Sequence, residues 1–433
     1  MRLLLFCLLF ARFSANAQSY VSYFTGDTSD VNTTTEGGIV LMGGATEDDN
    51  AMRWFLQRSG GGDIVVIRAS GSDGYNDYLY SDLGVTVNSV ETILTASYNS
   101  AQEPYVAQQI RRAEALWIAG GDQGKYVQYW KNGPVEDAIK YLIHTKKAVV
   151  GGTSAGMAVL GEAYFSALNG SVTSAQALAA PYNSRMTIGY ADFLDHPDLQ
   201  HVITDTHYDD PDRRGRHVGF LARMTQDYGF RALGIACEEY TAVCIDTFGW
   251  AHVYGGFPSD QDYAYFLQAD CVPDYAPEIC SAGQPLHWVR GQQAVRVFKA
   301  EGRSNGQVAF NIRDWQSSTG GGIWQRWWVE NGTMLVAAAD APNCVTSLPD
   351  AENEHSILRI SPNPARSQVQ LMLNDSMLHA EVAVYDLQGN IIHRQNAENA
   401  VVTLNCQNWP AGMYFIRING KGRSFSRKIV VTD

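Results

Sequence analysis

The sequence predicts an α/β fold, a mostly parallel sheet flanked by helices, followed by a small C-terminal all-β sandwich. Three observations carry this expectation. From Ile39 onward, short apolar runs alternate with stretches of helical character, the pattern of strands joined by crossover helices. Several runs end in glycine-rich or polar turns, and an open parallel sheet gathers its ligands outside such strand ends. After residue 350 the pattern changes to short strands separated by turns.

The chain opens with Met1-Arg2, the apolar run Leu3 to Phe10, and Ala15-Asn16-Ala17 ahead of Gln18. These are the three parts of a signal peptide, and the run is too short to span a bilayer. Residues 1–17 are therefore expected to be removed on export, taking Cys7 with them. The remaining cysteines then lie in a compartment that permits disulfides, and Cys271 with Cys280 is the favoured pair. Residues 18–350 are expected to form the catalytic domain, with an irregular β-rich extension after Gly256, and 351–433 the sandwich. No later apolar run reaches spanning length, so no transmembrane span is expected.

Ile39 to Met42 reads as the first buried strand, ending at Gly43-Gly44, with Thr46 offered as the cap of a helix over Ala51 to Leu56. Asp63 to Ile67 repeats the strand signal. Ala115 to Ala119, Ala148 to Val150 and Val202 to Thr204 do so again. They run into Gly120-Gly121-Asp122-Gln123, Gly151-Gly152-Thr153-Ser154 and Asp205-Thr206-His207. Trp315, Trp324, Trp327 and Trp328 cluster in the extension. They could stack on a sugar or base, but a buried aromatic cluster is the commoner meaning of such a group. The tail strands are read at Val369 to Leu373, Val382 to Tyr385, Val401 to Leu404, Tyr414 to Ile418 and Ser426 to Val431.

Composition excludes some functions. With 433 residues, 45% hydrophobic and 18% charged, the chain can build a large core. Its formal net charge of -13 argues against sequence-independent binding to nucleic acid, which needs Lys and Arg to displace counterions from phosphate. No Cys-x-x-Cys zinc pattern is present. Glu47-Asp48-Asp49, and Asp209-Asp210 with His196 and His201, are the only groupings suggestive of a metal. They read better as helix-end charges and packed histidines, so neither a metal nor any other cofactor is expected.

The chemistry converges on Ser154. Gly152-Thr153-Ser154-Ala155-Gly156 follows an apolar strand and leads into Met157 to Leu160. That is the context of a nucleophile elbow, in which flanking glycines let the chain turn sharply and expose the hydroxyl. The N–H of Ala155 is then a natural oxyanion donor. A serine needs a base, and the base needs an acid to fix its tautomer. His207 and Glu239 are the candidates. The chain order Ser, His, acid disfavours an α/β-hydrolase esterase, whose order is Ser, acid, His.

At these residues the chain resembles the cyanophycinase-like serine peptidases, a family that also contains aspartyl dipeptidases. Gly43-Gly44, Gly120 to Gln123, Gly151 to Gly156, Asp205-x-His207 and Glu239-x-Thr241-Ala242 match that family's landmarks in order. The resemblance implies a flavodoxin-like, class I glutamine amidotransferase-like sheet. It also implies Ser154 as nucleophile, His207 as general base, Glu239 as orienting acid, and Gly121 as second oxyanion donor. Gln123 and Asp205 match substrate-contacting positions, Asp205 being suited to a substrate guanidinium or amine. Of the three arginines that follow the family's histidine, Arg213 and Arg216 are kept and Pro211 replaces the third. They are expected to hold carboxylates of an aspartate backbone, the competing meaning being surface charges paired with neighbouring aspartates. The implied substrate is cyanophycin or a related β-linked aspartyl peptide, with an aspartyl dipeptidase as the alternative, and members are often homodimers. A surface-displayed binding protein without turnover is the rival reading, distinguished by whether His207 reaches Ser154.

The tail carries a second resemblance. Ile360-Ser361-Pro362-Asn363-Pro364, Val384 to Gly389, Pro410 to Tyr414 and Lys428 to Val431 are similar to the sorting domain of the type IX secretion system. This implies the type IX secretion machinery as partner and a secreted or cell-surface destination.

Overall fold

The computed structural model describes residues 19–271, 274–342, 358–361, 365–373, 379–386, 390–399, 401–420 and 423–432. The expected signal peptide, the Asp350 to His355 stretch, Pro362 to Pro364 and Leu387 to Gly389 lie outside the described residues. Contacts divide the chain into two compact units, residues 1–343 and 344–433.

The first unit begins with β1 (Val21–Gly26), β2 (Gly38–Met42), β3 (Asp63–Arg68), β4 (Ser89–Leu94), β5 (Ala115–Ile118) and β6 (Val149–Thr153). β4, β3, β5, β6 and β2 lie side by side in that order, all parallel. Their all-apolar stretches, such as Ile39 to Met42, are buried, as a sheet covered on both faces requires. The helix Asp49–Gln57 presents Ala51, Met52, Phe55 and Leu56 to one of those faces. Its cap is Asp48 and not Thr46: the Asp48 carboxylate accepts the N–H groups of Asn50 and Ala51, both at 2.9 Å. A carboxylate there also meets the positive end of the helix.

Next come β7 (Ala163–Phe165), β8 (Ile188–Tyr190), β9 (Val202–Asp205), β10 (Leu233–Cys237), β11 (Ala242–Ile245) and β12 (Trp250–Tyr254). The unit closes with β13 (Tyr263–Ala269), β14 (Val295–Glu301), β15 (Val308–Asn311), β16 (Ser318–Thr319), β17 (Ile323–Glu330) and β18 (Thr333–Ala338). β1 at one edge and β11, β12, β15 and β16 at the other extend the parallel core of five antiparallel to make ten strands. The others form a second sheet of eight, in the order β18-β17-β14-β13-β10-β9-β7-β8. Val202 to Thr204, in β9, is expected from the sequence to join the same parallel sheet as Ala115 to Ala119 and Ala148 to Val150. Instead β9 and β10 pair parallel with each other in this second sheet. Ile235 and Phe266 of the second sheet share a buried cluster with Leu41, Val243 and Phe310 of the first, so the sheets pack face to face.

The extension after Gly256 is regular where an irregular one was expected, because β13, β14, β17 and β18 pair as antiparallel neighbours. Its tryptophans belong to the core. Trp315 lies edge-on to Phe310 with ring centroids 5.7 Å apart, and Trp327 is fully buried beside Tyr265. The expected Cys271–Cys280 pair does not form. Cys280 is a free buried thiol packed with Leu286 and Trp288, and burial pushes its pKa up to about 12. Cys271 is disulfide-bonded.

The second unit consists of β19 (Leu358–Ser361), β20 (Gln368–Leu373), β21 (Glu381–Tyr385), β22 (Ile391–Asn396), β23 (Val401–Asn405), β24 (Gly412–Gly420) and β25 (Arg423–Val431). They form antiparallel sheets of three and four strands. Alternate residues such as Val369, Leu371, Val382, Val384, Ile416 and Ile418 gather in one buried cluster, as a period of two demands.

Candidate active site

β6 lies between β5 and β2, and at its tip Ser154 adopts φ 51° and ψ -114°. A residue with a Cβ occupies that region only when its surroundings hold it there. They do so from both sides. The Ser154 N–H donates to Met42 O at 3.0 Å, and the short helix Ala155–Ala158 begins at once. A Cβ on Gly152 would come within 2.6 Å of the Gly156 carbonyl carbon, and one on Gly156 within 2.0 Å of Ile118 O. Neither flank admits a side chain, so the chain turns tightly and the serine projects from the strand tip.

His207 and Glu239 arrive at this tip from the second sheet. His207 follows β9, and its Nε2 lies 2.8 Å from Ser154 Oγ. Its Nδ1 lies 2.5 Å from Glu239 Oε1, on the turn after β10. With the proton on Nδ1 facing the carboxylate, Nε2 is left as the acceptor for the serine hydroxyl.

Gly43-Gly44, at the tip of β2, holds both partners. Gly43 O accepts the His207 N–H at 2.9 Å, Gly44 O accepts the Tyr240 N–H at 3.1 Å, and Gly43 N–H donates to Thr241 O at 2.9 Å. Gly44 has φ 125°, and a Cβ there would sit 2.3 Å from the His207 ring. Gly44→Ala is therefore expected to push the imidazole off Ser154 and lower kcat by about a hundredfold while the protein still folds, since small misplacements of reacting groups cost that much. Steady-state kinetics beside a thermal melt would check this; unchanged kcat would mean that the ring is not held by Gly44.

The expected oxyanion donors lie at the same tip. Ala155 is the first residue of its helix, so its N–H has no partner within that helix. An ideal Cβ on Gly120 would be 3.6 Å from Ser154 Cβ, which puts the Gly120-Gly121 turn beside the serine. Tyr126 OH donates to Ala119 O at 2.8 Å and to Gly120 O at 3.0 Å, fixing that turn. Gln123 is half-buried at the start of the helix Gln123–Trp130, capped by Asp122.

Two of the residues expected to contact substrate are paired with each other. Asp205 and Arg216 are only 3% and 4% exposed, and they satisfy each other. Arg216 Nε donates to Asp205 Oδ2 at 2.8 Å, and Nη2 donates to Oδ1. Arg216 Nη1 also donates to Ser171 Oγ at 3.2 Å, and the guanidinium lies over Phe165. Burial by itself would raise the Asp205 pKa, but the Arg216 charge and its hydrogen bonds outweigh burial and hold it below the usual carboxylate range. The bidentate pair thus uses donors and acceptors that substrate recognition would need.

Arg213 differs. Its Nη1 donates to Thr206 O at 2.9 Å, while its Nε is buried without a hydrogen-bond partner. Burial first, and the neighbouring Arg216 charge second, pull its pKa below the ordinary value, so an anion there would relieve it. Arg214 forms the surface pair with Asp212, at 2.9 and 2.6 Å.

The groupings suggestive of a metal have other roles. Asp48 caps its helix, His196 Nδ1 accepts the Asp198 N–H at 3.2 Å, and His201 stacks on Phe230 with centroids 4.0 Å apart. Among the described residues no three His, Cys, Asp or Glu side chains form a metal-holding group. Two residues at the site escaped sequence reasoning. Asp209 Oδ1 accepts the Glu239 N–H at 3.0 Å, and Glu238 lies buried behind it. An acidic pair set between two apolar runs, Glu238-Glu239, was the available signal for the second.

Residues 359–432 match the family model of the secretion system C-terminal sorting domain, which directs export by type IX secretion to the cell surface or beyond. A cyanophycinase from Synechococcus elongatus is 24% identical over 248 residues, covering 54% of this chain and 72% of its own. One from Trichormus variabilis is 22% identical over 231 residues, covering 51% and 72%. Among solved structures, a peptidase from an acI-B1 Actinobacterium aligns over 52% of this chain and 89% of its own, at 14% identity and a TM-score of 0.38. The chain is thus similar to cyanophycinases over about half its length and ends in a type IX sorting domain, a combination that supports a secreted peptidase.

Proposed function

We propose that this chain is an exported serine peptidase that cleaves aspartyl peptides by acyl transfer to water. The observation that carries the reading is the hydrogen-bonded chain from Ser154 through His207 to Glu239, 2.8 and 2.5 Å per link, on a strained elbow at the strand tips. A binding protein has no need to hold a serine and an imidazole in that relation, so the contact favours turnover.

As Ser154 Oγ attacks the peptide carbonyl carbon, its proton passes to His207 Nε2, and the Glu239 carboxylate stabilises the imidazolium that forms. The carbonyl oxygen gains charge and is received by the N–H groups of Ala155 and Gly121. His207 then returns the proton to the leaving amine, the C–N bond breaks, and an acyl-serine ester remains. Water, deprotonated by the same imidazole, releases the acid and restores the serine. Gln123, which starts the helix after the Gly120-Gly121 turn, is the further residue we assign to substrate contact. No cofactor enters this sequence. In the second unit we read the two sheets as a sandwich serving the export machinery.

Arg213, with its Nε buried and unpartnered, is the group that would hold a substrate carboxylate. With Asp205 and Arg216 paired to each other and Pro211 unable to contribute a charge, one carboxylate per substrate is supported better than a row of them. A short peptide carrying α- or β-linked aspartate is therefore favoured over the cyanophycin polymer.

A charge-assisted contact is worth about 1.5–3 kcal/mol, so Arg213→Ala should lower kcat/KM on such a peptide by roughly tenfold or more. Cyanophycin should be turned over more slowly than the short peptide. Release of β-aspartyl-arginine from the polymer at the greater rate, or an Arg213→Ala variant as active as the wild type, would overturn this specificity.

A further inference from the structure

We infer that Glu238 is a positioning residue which, by anchoring the turn that carries Glu239 to the neighbouring strand, holds the Glu239 carboxylate on His207. The inference rests on the triad reading but reaches a residue that the reaction itself does not use.

The Glu238 side chain points away from the triad into the second sheet. Its Oε1 accepts the Tyr265 hydroxyl at 2.7 Å, and its Oε2 accepts the Tyr263 N–H at 2.9 Å. Its backbone N–H donates to Tyr263 O at 3.0 Å, so one residue is tied to β13 at three points. Tyr265 is itself fixed, packed against Tyr208 with ring centroids 4.9 Å apart.

On the other side of the turn, Asp209 takes the Glu239 N–H and Gly44 takes that of Tyr240, whose φ is 59°. A left-handed tyrosine persists only where its neighbours enforce it. Gly43 is so close to this turn that a Cβ on it would come within 1.9 Å of Glu238 O. The Glu239 carboxylate is thus set by anchors on both sides, and Glu238 supplies those on β13.

A carboxylate is a costly choice for a mere spacer in this place. The charged groups that act on it are Lys299, whose ammonium lies over the Tyr263 ring at 3.5 Å, and Asp209. Burial pushes the Glu238 pKa up to about 7 despite Tyr265 and Lys299. What a carboxylate offers here is two acceptors at a fixed separation, one for each Tyr partner. Glutamine can meet the same geometry, its oxygen accepting from Tyr263 N–H and its amide donating to the Tyr265 oxygen. Alanine cannot.

The test uses the full chain and two readouts. One is the rate at which a fluorophosphonate probe labels Ser154; the other is the downfield proton resonance of His207 Nδ1–H, which reports the bond to Glu239 whether or not the serine reacts. Glu238→Ala is expected to slow labelling by about tenfold to a hundredfold and to broaden or abolish the resonance. Glu238→Gln should restore both. Tyr265→Phe, which removes one hydroxyl, should slow labelling by a smaller factor and add nothing to Glu238→Ala.

A Glu238→Ala protein with wild-type labelling and resonance overturns the inference. Should that variant not fold, a Tyr265→Phe protein unchanged in both readouts overturns it equally. If the wild type is never labelled while the resonance still depends on Glu238, the nucleophile assignment fails and the positioning role stands.

Discussion

Ser154→Ala is expected to reduce peptide hydrolysis by about 10⁴- to 10⁶-fold, the loss seen when the nucleophile of a unit acting in concert is removed. The stability of the protein should change by less than about 0.5 kcal/mol. The two halves of this expectation have separate causes. The Oγ atom is bonded to His207 Nε2, so its removal ends covalent catalysis. The elbow itself is held by the Ser154 N–H on Met42 O and by the closeness of Gly152 to Gly156, none of which involves the hydroxyl. Kinetics on an aspartyl peptide, run beside a denaturant melt, would separate them. Hydrolysis that survives the substitution would remove Ser154 from the mechanism, and a large loss of stability would mean that the hydroxyl shapes the turn.

The elbow was legible in the sequence because its cause is local. Glycines at 152 and 156, an apolar strand before and a helical stretch after are all within a dozen residues, and backbone crowding at Gly156 and Ile118 explains why no other residue serves. The position of His207 and Glu239 past strand ends was legible for the same reason. Which sheet those strands enter was not. β9 and β10 are apolar runs like β5 and β6, and a run of four or five buried residues carries no mark of its neighbour. The decision is made by β13, which pairs antiparallel to β14 on one side and to β10 on the other, and β10 in turn draws β9 in as its parallel neighbour. The extension after Gly256 looks irregular in sequence because it is rich in Asp, Pro, Gln and Trp, which obscure the alternation that identifies a strand. Trp327 and Trp328 point to opposite faces of β17, and both are buried, so the polar member of the alternation is missing there. Glu238 went unnoticed because nothing in Glu238-Glu239 says which carboxylate faces the histidine. That depends on Tyr265, 27 residues further on and one strand away.

Asp205→Asn is expected to destabilise the protein by about 3–5 kcal/mol at neutral pH, since breaking a buried pair leaves one charge without a partner. The reasoning starts from Arg216, which sits inside the buried segment Gly215 to Ala222 of the helix Arg214–Tyr228. A guanidinium stays ionised even there, and Asp205 is what makes its burial tolerable. Asparagine keeps the shape but offers one neutral oxygen where two charged ones stood. Because the folded-state pKa of Asp205 is held below its ordinary value, the stability it contributes is present above the unfolded pKa of about 3.9 and is lost as pH falls through the folded value. The gap between wild type and Asp205→Asn should therefore be full at pH 7 and narrow in strong acid. Replacing both partners by apolar residues, Asp205→Leu with Arg216→Met, should recover much of the loss, as apolar substitutes for buried pairs commonly do. Urea denaturation at several pH values measures all of this. The same variants decide between two roles for Asp205. A group that receives a substrate guanidinium would, on mutation, raise KM for an arginine-bearing peptide and leave the urea midpoint in place. A group committed to Arg216 would move the midpoint first, and Arg213→Ala would show the converse, a weakened substrate contact on an unchanged fold.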